Sequence, residues 1–427
     1  MMDEKISKVC VVGLGYIGLP TAAIFAQNNI QVVGVDTNMD VVSTINEGEI
    51  HIVEPGLGEL VSNSVETGRL RATHVPEDAD AFIIAVPTPV VGDAKEPDLS
   101  YVRAAAVAIA RVLKPGDLVI LESTCPVGAT ETLIQWLAIE RKDLTFPKQK
   151  KETIDINIAY CPERVLPGNV IHELVHNDRI IGGMTAQCSE RAASLYKNFV
   201  HARCLIASNP RVVEMAKLTE NSFRDVNIAF ANELSMISSE LDIDVWELIN
   251  LANLHPRVNI LKPGAGVGGH CIAVDPWFII NSAPKTSKLI RAARDVNNLK
   301  PEFLLSCINQ LISEYLTDHQ NIKDTDLIIS FYGLAFKPDI DDLRESPAKF
   351  IVSTFIKDFA GTTLIVEPNI KELPKNLATA TLVNYSDAKQ QAHIHVLLVA
   401  HTDFQLHPLD DEGYVIDAVG LTNRNKK

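Results

Sequence analysis

The sequence contains no uninterrupted apolar stretch near the roughly 20 residues that a membrane-crossing helix requires. Its start, Met1-Met2-Asp3-Glu4-Lys5, lacks the basic residues and apolar run of a secretory signal. Seven cysteines (Cys10, Cys125, Cys161, Cys188, Cys204, Cys271 and Cys307) are odd in number, scattered and without a Cys-x-x-Cys pair. That usage fits a reducing compartment, so a cytoplasmic location is expected. Positive charge is also scarce, with 39 Lys and Arg against 54 Asp and Glu and a net charge of −15. Such a surface repels phosphate backbones and anionic lipid, so neither nucleic acid nor membrane is an expected partner. An anionic ligand must then be held by a local basic cluster. Internal repeats and low-complexity segments are lacking too.

What is present is ordinary globular composition, 46% apolar and 22% charged, over 427 residues. That length predicts about two to four domains. Lys8 to Asp36 reads as a β-branched run, a Gly-rich turn, an Ala-rich helix and a second β-branched run, which is one βαβ unit. Further strands are expected at Ala81–Val86, Leu118–Glu122, Ile156–Tyr160 and Arg179–Ile181, separated by helices such as Tyr101–Leu113 and Ala129–Ile139. Alternation of this kind specifies a parallel, doubly wound sheet. From Asn209 strand signals vanish, and apolar residues recur at helical spacing to about Leu241, predicting a helix about 45 Å long. A helix of that length bridges domains or builds a dimer interface. A second helical stretch, Thr286–Leu316, is expected to be interrupted at Pro301. βα alternation then resumes with Leu327–Gly333, Ser346–Phe359, Thr363–Val366, His393–Ala400 and Tyr414–Asp417. The fold class is therefore α/β, two Rossmann-like domains (residues 1–205 and 319–427) joined by a helical central domain (206–318).

Gly13-x-Gly15-x-x-Gly18 follows the first strand and opens a helix. Gly13 allows a tight turn, Gly15 lets backbone approach a pyrophosphate, and Gly18 lets helix and strand pack closely. Asp36 ends the second strand, where a carboxylate accepts from ribose hydroxyls and repels a 2′-phosphate, so NAD is expected rather than NADP. A packing turn without a ligand is the alternative. Thr88, Thr124 and Thr130 stand near later strand ends as candidate NAD contacts or as helix caps. Glu163 and Arg164 follow the Ile156–Tyr160 strand and could serve as base and anion clamp, or merely as a solvated turn. On the long helix, Lys217, Asn221 and Arg224 share one face. An anionic ligand or salt bridges to Glu214 and Glu220 would satisfy that face.

The segment Leu261–Phe278 carries four glycines in six positions, permitting backbone to lie flat against a ligand, and then Cys271. A thiol near a lysine becomes a competent nucleophile, the alternative being a structural cysteine in a glycine turn. His270-Cys271, His201-x-x-Cys204 and His393 with His395 each fall short of three or four metal ligands, so no metal is expected.

Taken together these segments resemble the UDP-glucose/GDP-mannose dehydrogenase family across essentially the whole chain. Gly13–Pro20, Val86-Pro-Thr88-Pro89, Glu122-Ser-Thr124, Cys161-Pro-Glu163-Arg164, Lys217-Leu-x-Glu-Asn221, Gly268-Gly-His-Cys271 and Gly333-Leu-Ala-Phe336-Lys337-Pro-Asp carry the resemblance. It implies four-electron oxidation of a nucleotide sugar at C6, through a thiohemiacetal and a thioester on Cys271. Lys217 and Asn221 are implied as proton and oxyanion partners, with Glu163 or Asp275 behind the hydrolytic water. Tyr16, Ile17 and Arg344 join the implied cofactor contacts. Arg164, Val165, Lys217, Asn221, Arg224, His255, Arg257, Gly266, Phe336 and Lys337 are implied substrate contacts. The long helix, for its part, implies a homodimer, with Arg257 reaching the neighbouring subunit's site. Within the family, Cys271-Ile-Ala273-Val274-Asp275 lacks the lysine that the UDP-glucose branch has at Val274. The wider similarity implies UDP-N-acetyl-D-mannosamine as substrate, with UDP-N-acetylglucosamine as the alternative, and a place in cell-surface polysaccharide synthesis of the enterobacterial common antigen type. A two-electron 3-hydroxyacid dehydrogenase would need neither the Cys271 loop nor a second α/β domain. A non-catalytic NAD sensor would leave Cys271 and the polar helix face unexplained.

Overall fold

The computed structural model of the chain describes residues 6–147, 153–166, 168–409 and 413–422. The start Met1–Lys5 and Pro167 of the Glu163 loop lie outside the described residues. The chain divides into two compact units. One runs to Glu220 and includes Trp277–Ala283; the other holds Asn221–Pro276 and everything from Pro284 onward.

The first unit is built on an eight-stranded sheet. Its strands are β1 (Lys8–Val12), β2 (Gln31–Val35), β3 (Leu70–Thr73), β4 (Ala81–Ile84), β5 (Leu118–Leu121), β6 (Asn157–Tyr160), β7 (Arg179–Gly183) and β8 (Cys204–Ile206). The order is β8-β7-β6-β5-β4-β1-β2-β3. Strands β1 to β6 pair in parallel, in the 3-2-1-4-5-6 order of a dinucleotide-binding sheet. Alternate residues of β1 enter separate cores: Val9 and Val11 pack on one face, Cys10 and Val12 on the other. Burial on both faces explains why these strands read as unbroken apolar runs.

The expectation of a wholly parallel sheet is corrected at one junction. Strand β7 runs antiparallel to β6, pairing Ala159 with Gly183 and Tyr160 with Gly182. The segment between them contributes only the short helix Val170–His176 and does not carry the chain back to the other edge of the sheet. The end of β6 and the start of β7 therefore share one edge.

The second unit holds a five-stranded parallel sheet, β9 (Ile328–Tyr332), β10 (Thr362–Val366), β11 (Thr381–Leu382), β12 (Ile394–Leu397) and β13 (Tyr414–Asp417), in the order β11-β10-β9-β12-β13. Two 31-residue helices stand out, α1 (Pro210–Glu240), within which the division between units falls, and α2 (Lys288–Asp318). The expected interruption of α2 at Pro301 does not occur. Proline inside a helix costs about 3 kcal/mol, and a bonded interface offsets it. Arg294 Nη1 donates to Asp225 Oδ1 at 2.7 Å, and Asn297 Nδ2 to the same oxygen at 2.8 Å. Lys300 Nζ donates to Ser235 Oγ at 2.6 Å. Helix α2 is thus clamped to α1 over the two turns that lead into the proline.

Candidate active site

In the first unit the ligand edge lies at the strand order reversal between β1 and β4. Gly13 has φ +93°, and a Cβ there would stand 2.5 Å from the Ala85 carbonyl oxygen. At Gly18 a Cβ would meet the Gly13 oxygen at 1.8 Å. Gly15 differs, facing open space with nothing within 4 Å of a Cβ. Two glycines thus serve close packing, while the middle one leaves room for a pyrophosphate. Tyr16 and Ile17 are half-buried in the same turn. The half-exposed Asp36 accepts from the backbone N–H groups of Leu14 (3.0 Å) and Asn38 (2.9 Å), which fixes its carboxylate beside the turn. These residues fit NAD. Asp36→Ser is expected to raise kcat/KM with NADP by roughly 10–100-fold, because juxtaposed like charges cost several kcal/mol. Equal rates with both cofactors in the unmodified protein would contradict this role for Asp36.

The threonines are placed differently from one another. Thr88 Oγ1 donates to the Thr124 carbonyl at 2.6 Å, joining the ends of β4 and β5. Thr130 is fully buried, and its hydroxyl donates to Glu214 Oε1 at 2.7 Å. Glu214 also accepts the N–H groups of Gly128 and Thr130, so its carboxylate caps the Ala129–Glu140 helix.

Glu163, just beyond β6, is buried rather than on a solvated turn. Its Oε1 accepts the Arg164 N–H at 2.7 Å, and its Oε2 accepts Nη2 of Arg179 at 2.6 Å. The same guanidinium reaches Glu122 Oε1 through Nη1 at 3.2 Å. The Tyr196 hydroxyl donates to Glu122 Oε1 at 3.1 Å, and Thr21 Oγ1 lies 3.5 Å from Oε2. Burial holds the Glu122 carboxyl well above the usual carboxylate range, against the pull of Arg179. Burial likewise pushes the neighbouring Cys161 thiol up to about 12, so it is an inert sulfur. No local sequence signal marks Arg179 as the partner of Glu122 and Glu163. Arg164 turns away from Glu163 and pairs with Glu220 (Nη2 to Oε1, 2.6 Å). Val165 packs against the sheet's core. Glu54 holds this loop by accepting the N–H groups of Gly168 and Val170, each at 2.8 Å.

Lys217 is half-buried and Arg224 exposed on α1. The alternative partners for that face, Glu214 and Glu220, are engaged with a helix N-terminus and with Arg164. Among the described residues no ion pair reaches Lys217 or Arg224, which leaves the basic face available to an anion. One turn beyond Lys217, Asn221 Nδ2 donates to Asp275 Oδ2 at 2.5 Å. Asp275 is buried and opens the Asp275–Ser282 helix, and its N–H donates to the Cys271 carbonyl at 2.9 Å. The second unit thereby brings Asn221, Asp275 and Cys271 together. Cys271 is exposed, whereas Cys10, Cys125, Cys161 and Cys188 are buried and Cys204 and Cys307 partly so.

The glycines before Cys271 serve a different purpose from the one expected. A Cβ at Gly268 would stand 2.4 Å from the Glu345 oxygen, and one at Gly269 2.9 Å from the Phe336 ring. One at Gly266, where φ is +134°, would meet Pro347 at 3.1 Å. Their smallness lets this loop pack on the chain's own Phe336–Pro347 segment. Phe336 and Lys337 follow β9 at the second sheet's ligand edge, half-buried. Arg344 is exposed and bonded to Asp342 at 2.6 Å. His255 and Arg257 are exposed beyond the Val245–Ala252 helix, the Arg257 N–H donating to His255 Nδ1 at 3.4 Å. Among the described residues no helix is long and apolar enough to cross a membrane, and no group of three or more His, Cys, Asp or Glu is arranged to hold a metal ion.

The chain matches the models of the NAD binding, central and UDP binding domains of the UDP-glucose/GDP-mannose dehydrogenase family over residues 7–200, 211–299 and 330–424. It is 59% identical to a UDP-N-acetyl-D-mannosamine dehydrogenase of Campylobacter jejuni, covering 94% of this chain and 97% of that one. It is 56% identical to an NDP-N-acetyl-D-galactosaminuronic acid dehydrogenase of Ralstonia nicotianae, covering 98% and 97%. Among solved structures, a UDP-D-ManNAc dehydrogenase from Pyrococcus horikoshii has a TM-score of 0.85 at 36% identity, covering 97% and 96%.

Proposed function

The chain belongs to the UDP-glucose/GDP-mannose dehydrogenase family, and we propose that it oxidises UDP-N-acetyl-D-mannosamine at C6 to the uronate. NAD, when bound, accepts a hydride in each of two successive oxidations. The observation that carries the reading is the exposed Cys271, whose backbone is tied to Asp275 while Asp275 holds Asn221.

Lys217 assists removal of the C6 hydroxyl proton as the first hydride leaves. The Cys271 thiolate then adds to the aldehyde carbon, forming a C–S bond, and the carbonyl oxygen takes the charge. Lys217 and Asn221 stabilise that oxyanion as pre-organised donors. Loss of the second hydride leaves a thioester on Cys271. Glu163 takes a proton from water, the hydroxide displaces the thiolate, and carboxylate is released. Asp275 acts by fixing the Asn221 amide. Over both steps one CH2OH, two NAD and one water give one carboxylate, two NADH and three protons. Arg164, Val165, Arg224, His255, Arg257, Gly266, Phe336 and Lys337 are the proposed substrate contacts. Thr88, Thr124, Thr130 and Arg344 complete the proposed NAD set, Thr130 through the helix terminus it helps to cap.

A homodimer is supported by Phe223, Phe230 and Ile237, spaced seven apart on α1 and all exposed, Phe223 at 71%. Leu251 and Leu254 add exposed apolar surface nearby in sequence. The enzyme acts in the cytoplasm, and its product supplies a uronic acid for cell-surface polysaccharide.

Side-by-side assays of kcat/KM test the substrate. UDP-N-acetylmannosamine is expected to exceed UDP-N-acetylglucosamine and UDP-glucose by about tenfold or more. The Ralstonia relative's name makes UDP-N-acetylgalactosamine the further competitor to include. Preference for any of these three would overturn the substrate assignment.

A further inference from the structure

The Glu122–Arg179–Glu163 cluster lies wholly within the first unit, at the edge where β5 and β6 end and β7 begins. Two carboxylates share one guanidinium, and all three groups are buried. Around Glu122 stand Arg179 from β7, Glu163 and Cys161 from beyond β6, Tyr196 from the Ala186–Tyr196 helix, and the Thr21 hydroxyl from the first helix. The Arg179 guanidinium also lies over the Tyr196 ring, 4.4 Å from its centroid. With both carboxylates ionised, the cluster carries one uncompensated negative charge away from water, which is costly. With one proton between them it is neutral. Glu163 uses only two of its carboxylate's roughly four acceptor positions, so it has capacity left for a water proton.

We propose that Glu122 and Arg179 are positioning residues that aim the Glu163 carboxylate at the hydrolytic water, the charge on Glu122 setting how firmly Arg179 holds it. This rests on the assignment of Glu163 to thioester hydrolysis. Arg179 fixes the carboxylate through Oε2. Glu122 competes for the same guanidinium: ionised, it weakens Arg179's hold on the Glu163 charge, and neutral, it leaves Arg179 wholly to Glu163. Ionisation of Glu122 therefore frees the Glu163 carboxylate to engage the hydrolytic water. Burial keeps Glu122 protonated into the neutral range, which places the change where the enzyme works.

Two variants act on Glu122 in different ways. Glu122→Gln removes the competing charge at every pH and leaves Arg179 wholly to Glu163. Tyr196→Phe removes a hydrogen bond that favours ionised Glu122 and so delays its ionisation. The experiment follows kcat against pH at saturating NAD and UDP-N-acetylmannosamine in the full-length enzyme. Intact mass of acid-quenched samples reports the acyl group on Cys271. In Glu122→Gln the step that Glu122 ionisation produces near neutral pH is expected to disappear, with more acyl-enzyme above it. In Tyr196→Phe that step is expected to move up by about half a unit. A merely structural role would not erase the step in one variant and raise it in the other. A step that persists unchanged in Glu122→Gln, or does not move in Tyr196→Phe, overturns the proposal. Glu163→Gln separates the two levels, since it should accumulate acyl-enzyme at every pH. Its failure to do so removes Glu163 from hydrolysis and the proposal with it.

Discussion

Cys271→Ser is expected to lose at least about 10³-fold in net turnover, the scale on which removal of a covalent nucleophile acts. Sulfur is specific to this task. A thiohemiacetal surrenders a second hydride to give a thioester that water readily cleaves, whereas a serine hydroxyl is the poorer nucleophile and leaving group at neutral pH. Because Cys271 is exposed and its ties to Val274 and Asp275 run through its backbone carbonyl, serine should preserve the loop. NAD binding and the melting temperature should therefore stay within error of the parent protein. The first oxidation is reversible, so the variant should stall near the aldehyde. Normal turnover by Cys271→Ser would assign the loop a purely structural role.

The largest effect on stability is expected at Arg179. Arg179→Leu leaves Glu122 and Glu163 buried without their shared cation, and removing one partner of a buried ion pair costs about 3–5 kcal/mol. The pH dependence has a definite sign. The Glu122 carboxyl is raised in the folded state, so it favours folding below its unfolded value, and that contribution is lost as pH rises through the folded one. Without Arg179 the carboxyl is held higher still. The destabilisation should be greatest above neutral pH and shrink as the solution is acidified and the pair takes up protons. Hydrogen exchange localised to β5, β6 and β7 reads this without requiring the whole chain to unfold in one step. A loss below about 1 kcal/mol at alkaline pH would mean that water reaches the cluster.

The contrast between Gly15 and Gly268 shows what the sequence discloses and what it withholds. Around Gly15, strand, turn and helix lie within one local unit, so spacing alone indicates both the fold and the ligand. At Gly268 and Gly269 the constraint comes from Phe336 and Glu345, far along the chain, and flexibility toward a ligand was the natural local reading. Arg179 is hidden for the same reason. Its partners lie 57 and 16 residues away, and only the reversal of β7 brings it beside Glu163. Pro301 misleads in the opposite sense, because a local rule predicted a break that Asp225 and Ser235 on another helix prevent. Cys271, Lys217 and Asn221 were legible as residue types in telling positions. That Asn221 is held by Asp275 was not.

The proposed oxidation takes four electrons from one carbon without release of the aldehyde. The direct measurement is the yield of NADH per UDP-N-acetylmannosamine consumed, made with limiting sugar, excess NAD and hydroxylamine present as an aldehyde trap. Two NADH per sugar with no trapped oxime is the predicted result. One NADH per sugar, or an oxime formed in step with the first NADH, would contradict it.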